Sequence, residues 1–157
     1  FIGSATVSEN SASQLVQIIV NQLLVSPNPG GGKGAAYNGF DPTSATSNVT
    51  LPLIMDNNSG FYTGYSIINV GTDATNITCT YSTVSGHTPP VSSQNNVAPG
   101  SALTVVNNGQ LRKDNSTAYV GSADCKATGG QALINGIVNE FSPATGDQFL
   151  VYEGFNY

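Results

Sequence analysis

Two stretches of this chain repeat each other, and the repetition limits the fold more than composition does. Phe1-Ile2-Gly3-Ser4-Ala5 is answered by Tyr119-Val120-Gly121-Ser122-Ala123. Leu15 to Asn21, closing on Ile19-Val20-Asn21, is answered by Leu133 to Asn139, closing on Ile137-Val138-Asn139, and both pairs lie 118 residues apart. A third pair, Tyr37-Asn38-Gly39-Phe40 and Tyr152-Glu153-Gly154-Phe155, is offset by 115 residues. The first copy thus carries three extra residues, which fall in its Pro27-Asn28-Pro29-Gly30-Gly31-Gly32 turn. Internal similarity at fixed spacing marks a repeat architecture. Residues 1–40 therefore read as the back half of a module, 41–50 as a linker and 51–157 as one whole module.

The surface of such a module must be built almost without charge. Only 8% of the 157 residues are Asp, Glu, Lys or Arg, against about 25% in typical soluble domains. Ser, Thr, Asn, Gln and Gly take their place, which suits an extracellular or cell-surface protein. A net charge of −5 gives no attraction for nucleic acid or an anionic membrane, and so little repulsion leaves self-association easy. No 18-residue apolar run is present, so no membrane span is expected. Cys79 and Cys125 lie 46 residues apart; in an oxidising compartment a bridge between them would restrict the unfolded chain by on the order of 4 kcal/mol.

Turn residues punctuate short apolar runs throughout. Leu15 to Val25 reads alone as helix or strand, but its counterpart Ala132 to Phe141 carries Gly136 and β-branched residues, which favours a strand for both. Prolines, the glycine run and a Ser/Thr tract interrupt 26–50. Strands are expected at Leu51 to Met55, with Pro52 near its start or on an edge, at Phe61 to Val70, and at Thr75 to Tyr81, where Ile77, Cys79 and Tyr81 share a face. Ala102 to Val106, Ala118 to Cys125, Ala132 to Phe141 and Gln148 to Tyr152 complete about seven. The fold expected is all-β, an antiparallel immunoglobulin-like β-sandwich with an additional N-terminal β half-module, and the two cysteines then sit on strands from the two halves of the module.

Candidate chemistry is sparse. His87 lies in a Gly-His-Thr-Pro-Pro loop with no metal-ligand or carboxylate spacing around it, and no Gly-x-Ser-x-Gly elbow occurs. Gly30-Gly31-Gly32-Lys33-Gly34 lacks the hydroxyl residue after Lys that a phosphate loop needs. Asp56-x-Asn58-x-Gly60 starts like a calcium loop, but position 67, where the bidentate Glu belongs, is Ile. Glu9, Asp124, Glu140, Asp147 and Glu153 show no pairing suited to glycoside hydrolysis. No cofactor, metal or catalytic residue is assigned, and the chain is not expected to be an enzyme. Asn48, Asn57, Asn76 and Asn115 form Asn-x-Ser/Thr sequons and are the candidate glycan acceptors, although this composition yields about three by chance. Tyr37 and Phe40 recur as Tyr152 and Phe155, which makes them framework rather than a sugar platform.

The run Leu51-Pro-Leu-Ile-Met, Gly64-Tyr-Ser-Ile-Ile-Asn-Val-Gly, Thr80-Tyr81, Pro99-Gly-Ser-Ala, Gly121-Ser-Ala, Ile137-Val-Asn-Glu and Tyr152-Glu-Gly resembles the tandem immunoglobulin-like repeats of large secreted and cell-surface proteins of bacteria. It covers about 51–156 as a whole module and 1–40 as part of one. The resemblance implies a structural or adhesive role outside the cell and carries over no active site.

Three arrangements suit residues 1–40. They supply strands to a neighbouring subunit of a homopolymer, they belong to a preceding module of a tandem array, or both copies share one sandwich as pseudo-symmetric partners. The first leads. It makes the chain a structural subunit of an extracellular filament or surface layer that self-assembles by strand exchange, with Ile2, Leu15, Ile18, Val20, Leu23 and Val25 at the subunit interface. A tandem-repeat adhesin or carbohydrate-binding module is the alternative. On the first arrangement, removing Phe1 to Val25 leaves a soluble module that does not assemble.

Overall fold

The computed structural model describes residues 5–10, 15–25 and 32–157. Among these residues the protein is built of eleven antiparallel strands, with one 3-10 turn at Pro42–Ser44 as the only helical piece. The turn is capped by Asp41, whose carboxylate accepts from the Thr43 amide at 2.9 Å.

Two sheets result. The first is a hairpin of β1 (Ile19–Leu24) and β2 (Lys33–Asn38). The second holds the other nine strands: β3 (Asn48–Asn58), β4 (Phe61–Asn69), β5 (Thr75–Tyr81), β6 (Ser92–Val97), β7 (Ala102–Val106), β8 (Tyr119–Thr128), β9 (Ile134–Phe141), β10 (Phe149–Glu153) and β11 (Phe155–Asn156). Its hydrogen-bonded order is β10-β9-β4-β3-β8-β5-β6, with β7 on β4 and β11 on β3. β3 and β4 pair only beside their turn, at Asp56↔Tyr62 and Asn58↔Phe61, whereas β4 takes β9 and β7 along its length and β3 takes β8. The ladder therefore folds over at that turn into two layers, β10-β9-β4-β7 and β11-β3-β8-β5-β6. This is the all-β antiparallel sandwich expected.

Alternation drives the layers together. In β5, Thr75, Ile77, Cys79 and Tyr81 are buried while Asn76, Thr78 and Thr80 face water. In β4, Thr63, Tyr65, Ile67 and Asn69 point inward. The period of two places these faces opposite each other without further instruction. Tyr65 and Tyr81, from opposite layers, meet at 2.6 Å between their hydroxyls, and Tyr81 is 2.7 Å from the Ser92 hydroxyl. Val49, Leu51, Ile54, Ile67, Ile77, Ile134 and Val138 fill the space around them.

Two details depart from the sequence reading. The strand expected from Leu51 begins at Asn48, inside the proposed linker, because Val49 is fully buried against the core. At Leu51 to Ile54 the β3–β8 register shifts; Pro52 has no N–H to give the ladder, and the irregularity turns Pro52 and Leu53 outward while Leu51 and Ile54 stay inside. Nine sandwich strands stand where about seven were expected. β6, Ser-Ser-Gln-Asn-Asn-Val, has no apolar alternation to reveal it, and β11 is two residues long.

Cys79 and Cys125 are bonded, directly opposite each other on the adjacent strands β5 and β8, with Cα atoms 4.0 Å apart. Both are buried in the core.

Candidate functional site: the N-terminal hairpin

Over its second and third stretches the repeat read from the sequence is a repeat of structure, while residues 1–4 of the first stretch lie outside the described residues. β1 pairs with β2 in the register Ile19↔Asn38, Val20↔Tyr37, Asn21↔Ala36, Gln22↔Ala35 and Leu23↔Gly34. β9 pairs with β10 as Ile137↔Glu153, Val138↔Tyr152, Asn139↔Val151, Glu140↔Leu150 and Phe141↔Phe149. Each pair of the first set maps onto the corresponding pair of the second by the sequence offsets. Gly39 N–H donates to Ile18 C=O at 2.8 Å, and Gly154 N–H donates to the matching Gly136 C=O at 2.8 Å. The hairpin β1–β2 is thus an in-register replica of β9–β10. It does not share a sheet with its counterpart.

The surroundings of the two hairpins differ. β9 has β10 on one edge and β4 on the other, in the register Tyr62↔Phe141, Thr63↔Glu140, Gly64↔Asn139, Tyr65↔Val138 and Ser66↔Ile137. Among the described residues β1 has only β2. Directly opposed residues of an antiparallel pair share a face, so Val20, Gln22, Leu24, Lys33, Ala35 and Tyr37 lie on one side of the hairpin and Ile19, Asn21 and Leu23 on the other. The first side is buried or half-buried except at Leu24, which is 47% exposed. On the second, Ile19 and Leu23 are 63% and 75% exposed, and Val25 beyond them is 85% exposed.

β2 lies against β10, and Lys33 is its anchor. The Lys33 ammonium donates to the carbonyls of Ala144 and Gly146 at 2.7 and 2.5 Å, and sits 5.7 Å from the centre of the Phe141 ring. Gly34 N–H donates to Asp147 Oδ1 at 3.0 Å. The loop that joins β9 to β10 is therefore clasped by the start of β2. Beside this contact runs an open cleft lined by Tyr37, Pro52, Val151, Tyr152 and Phe155. Tyr152 ties β10 to β3 there: its hydroxyl bonds to the Leu53 carbonyl and accepts from the Leu53 amide at 3.2 Å. Burial raises the Tyr37 and Tyr152 hydroxyls above the ordinary tyrosine range, with Glu153 adding to the first and Glu140 to the second.

Within the sandwich, Glu140 is fully buried and its two oxygens lie 2.8 and 2.7 Å from Thr63 Oγ1, which also accepts from the Met55 amide at 2.6 Å. Burial pushes the carboxyl up to about 8, against the lowering effect of the Thr63 hydrogen bond. The matching residue in the replica is Gln22, whose Oε1 is buried and has no hydrogen-bond partner among the described residues.

The residues singled out from sequence fall as follows. Ile2 lies outside the described residues. Leu15, Leu23 and Val25 are exposed, and Ile18 and Val20 half-buried. Of the sequons, Asn48 is half-buried in β3 with its amide donating to Ser47 Oγ, Asn57 accepts from the Tyr62 hydroxyl, and Asn76 accepts from the Asn96 amide. Asn115 is exposed in the segment between β7 and β8. His87 sits in a short turn, exchanging backbone hydrogen bonds with Val84. The Asp56 carboxylate accepts from Gly109 N–H and Leu111 N–H and lies 3.4 Å from Arg112 Nε, so it is spent on holding a loop. Among the described residues there is no cluster of three His, Cys, Asp or Glu side chains fit for a metal, and no helix long and apolar enough to cross a membrane.

Lys33 and Glu140 were weighed in the sequence only as part of a phosphate loop and of a glycosidase pair, and neither was given the role it has in the fold. Lys33 was visible as the one charged residue between Glu9 and Asp41, and Glu140 as the acid aligned with Gln22 in the repeat. Compared with protein-family models, with curated proteins and with solved structures, the chain matches none.

Proposed function

We propose that the chain is a structural subunit of an extracellular filament or surface layer, joined to a neighbouring module of the same kind through its N-terminal hairpin. The observation that carries this reading is the contrast between the replicas. β9–β10 is completed by β4, whereas β1, among the described residues, has one edge unpaired and presents an apolar face of Ile19, Leu23 and Val25. Covering such side chains stabilises by about 1.5–3 kcal/mol each, and an unpaired strand edge is a template for another strand. No charged residue lies between Glu9 and Lys33 to discourage such pairing. The disulfide and the charge-poor surface are compatible with a place outside the cell, and the resemblance to immunoglobulin-like repeats points the same way.

The full-length double variant Ile19→Lys, Leu23→Lys tests the reading. Both positions are exposed, so the sandwich is untouched, while two charges on the edge oppose pairing. Electron micrographs of the unchanged protein should show ordered assemblies and those of the variant dispersed particles. Equal assembly by both proteins would sink the reading.

A further inference from the structure

We infer that the open edge of β1 pairs antiparallel with the open edge of β7 in a second copy of this chain, with Ile19 opposite Val106. The inference rests on the assembly reading and names the partner strand and its register.

The alternation of ladder bonds fixes which backbone groups each edge offers. Gly39 N–H donates to Ile18 C=O, so along β1 the backbone groups of Val20, Gln22 and Leu24 also turn toward β2. Those of Ile19, Asn21 and Leu23 point the other way. Asn107 N–H donates to Thr63 C=O and Asn69 N–H to Ser101 C=O, so Leu103 and Val105 bond to β4, and Ala102, Thr104 and Val106 turn their backbone groups outward. Among the described residues no strand pairs with either outward edge.

The two edges also match in their side chains. Directly opposed residues share a face, so setting Ile19 against Val106, Asn21 against Thr104 and Leu23 against Ala102 gathers all six on one side. That side is the exposed one in both strands: Ile19, Leu23 and Val106 are 63%, 75% and 66% exposed. Leu103 and Val105 then continue the covered side of Val20 and Gln22. Neither strand carries a charge to oppose the pairing. The other edges fit less well. β2 lies against β10, and β6 is polar and breaks register beside Asn96, whose φ is 56°.

Because β2 lies against β10, β1 and β7 stand at opposite ends of the line β1-β2, β10-β9-β4-β7. A contact between two unlike edges leaves one of each kind free on every growing string of copies, so it propagates instead of closing on itself.

Full-length Thr104→Lys, Val106→Lys tests the assignment, both positions being exposed. It should fail to assemble alone, as should Ile19→Lys, Leu23→Lys. An equimolar mixture of the two variants should form pairs and nothing longer, because each brings one intact edge. A cysteine pair checks the register without added charge. Full-length Ile19→Cys mixed with Val106→Cys should cross-link through those positions under mild oxidant, the native cysteines being already bonded to each other. Ile19→Cys mixed with Ala102→Cys should not link, since that pairing lies beyond disulfide reach. A β7 variant that assembles like the parent, or assembled protein with no link between positions 19 and 106, overturns the assignment and leaves the assembly reading standing. A parent protein that does not assemble sinks that reading itself.

Discussion

Gly39 donates its amide hydrogen to the carbonyl of Ile18 at 2.8 Å, and Gly154 repeats the contact with Gly136 at the same length. In both places the chain leaves the second strand of a hairpin one residue beyond its ladder with the first, and in both the amide passes so close that no side chain fits. A Cβ on Gly39 would meet Ile18 Cβ at 2.7 Å. One on Gly154 would meet Val49 Cγ1 at 2.4 Å and Leu51 Cδ2 at 2.9 Å. The first contact is local to the hairpin, and the second presses into the core.

Gly154→Ala should therefore cost about 1–3 kcal/mol by overpacking, seen by calorimetry as a fall in melting temperature of about 2–4 °C for each kcal/mol. Gly39→Ala should leave the main transition in place and speed hydrogen exchange in β1 and β2 only.

Stability should depend on pH through Glu140. Its folded-state value of about 8 lies above the ordinary carboxyl value of 4.5, so the folded state holds a proton that the unfolded chain releases. Folding is then favoured at low pH, loses ground as pH rises from about 4.5 to 8, and is constant beyond, for a total on the order of a few kcal/mol. Glu140→Gln keeps a hydrogen-bonding group of the same shape and cannot ionise. Urea midpoints measured from pH 5 to 9 should slope downward for the parent and stay nearly level for the variant.

Lys33→Met keeps the stem over Phe141 and removes the ammonium that holds Ala144 and Gly146. The hairpin should loosen from β10 while the sandwich keeps its melting temperature within about 1 °C, because no core contact of β3 to β11 is touched. Faster exchange at Gly34 and in the 143–148 loop is the readout. If the whole protein lost stability instead, Lys33 would be part of the sandwich rather than a clasp.

Replacing both Cys79 and Cys125 by Ala should cost about 2–4 kcal/mol through the freed unfolded chain, with a further loss from the emptied space in the core. Both sulfurs are buried, so the native protein should resist mild reductant that acts quickly once urea is added. Thiol labelling with and without urea checks this.

Much of the architecture was legible before any coordinates. Alternation in Thr75 to Tyr81 placed Ile77, Cys79 and Tyr81 on one face, which is the buried one, and the strand expected at Phe61 to Val70 forms over Phe61–Asn69, since a period of two has one structural outcome when a core is present. The polar β6 and the two-residue β11 were not legible, because their pairing comes from backbone groups that every residue carries. The linker was drawn too long for a related reason: Val49 joins the core only because β8 and β11 bracket it. The anchor Lys33 was hidden in a glycine-rich turn, and the carbonyls it binds lie 111 and 113 residues away.

The amino-acid order by itself determined that the hairpin exists twice, because matching side chains at matching spacing impose the same register wherever they fold. It also determined the cysteine pair and the scarcity of charge. Only the tertiary structure decided that one replica is completed by β4 and the other, among the described residues, left with an unpaired edge, since strand partnership depends on which backbone arrives alongside. The same difference of surroundings makes Glu140 a buried proton holder and leaves the Oε1 of its counterpart Gln22 with no hydrogen bond among the described residues.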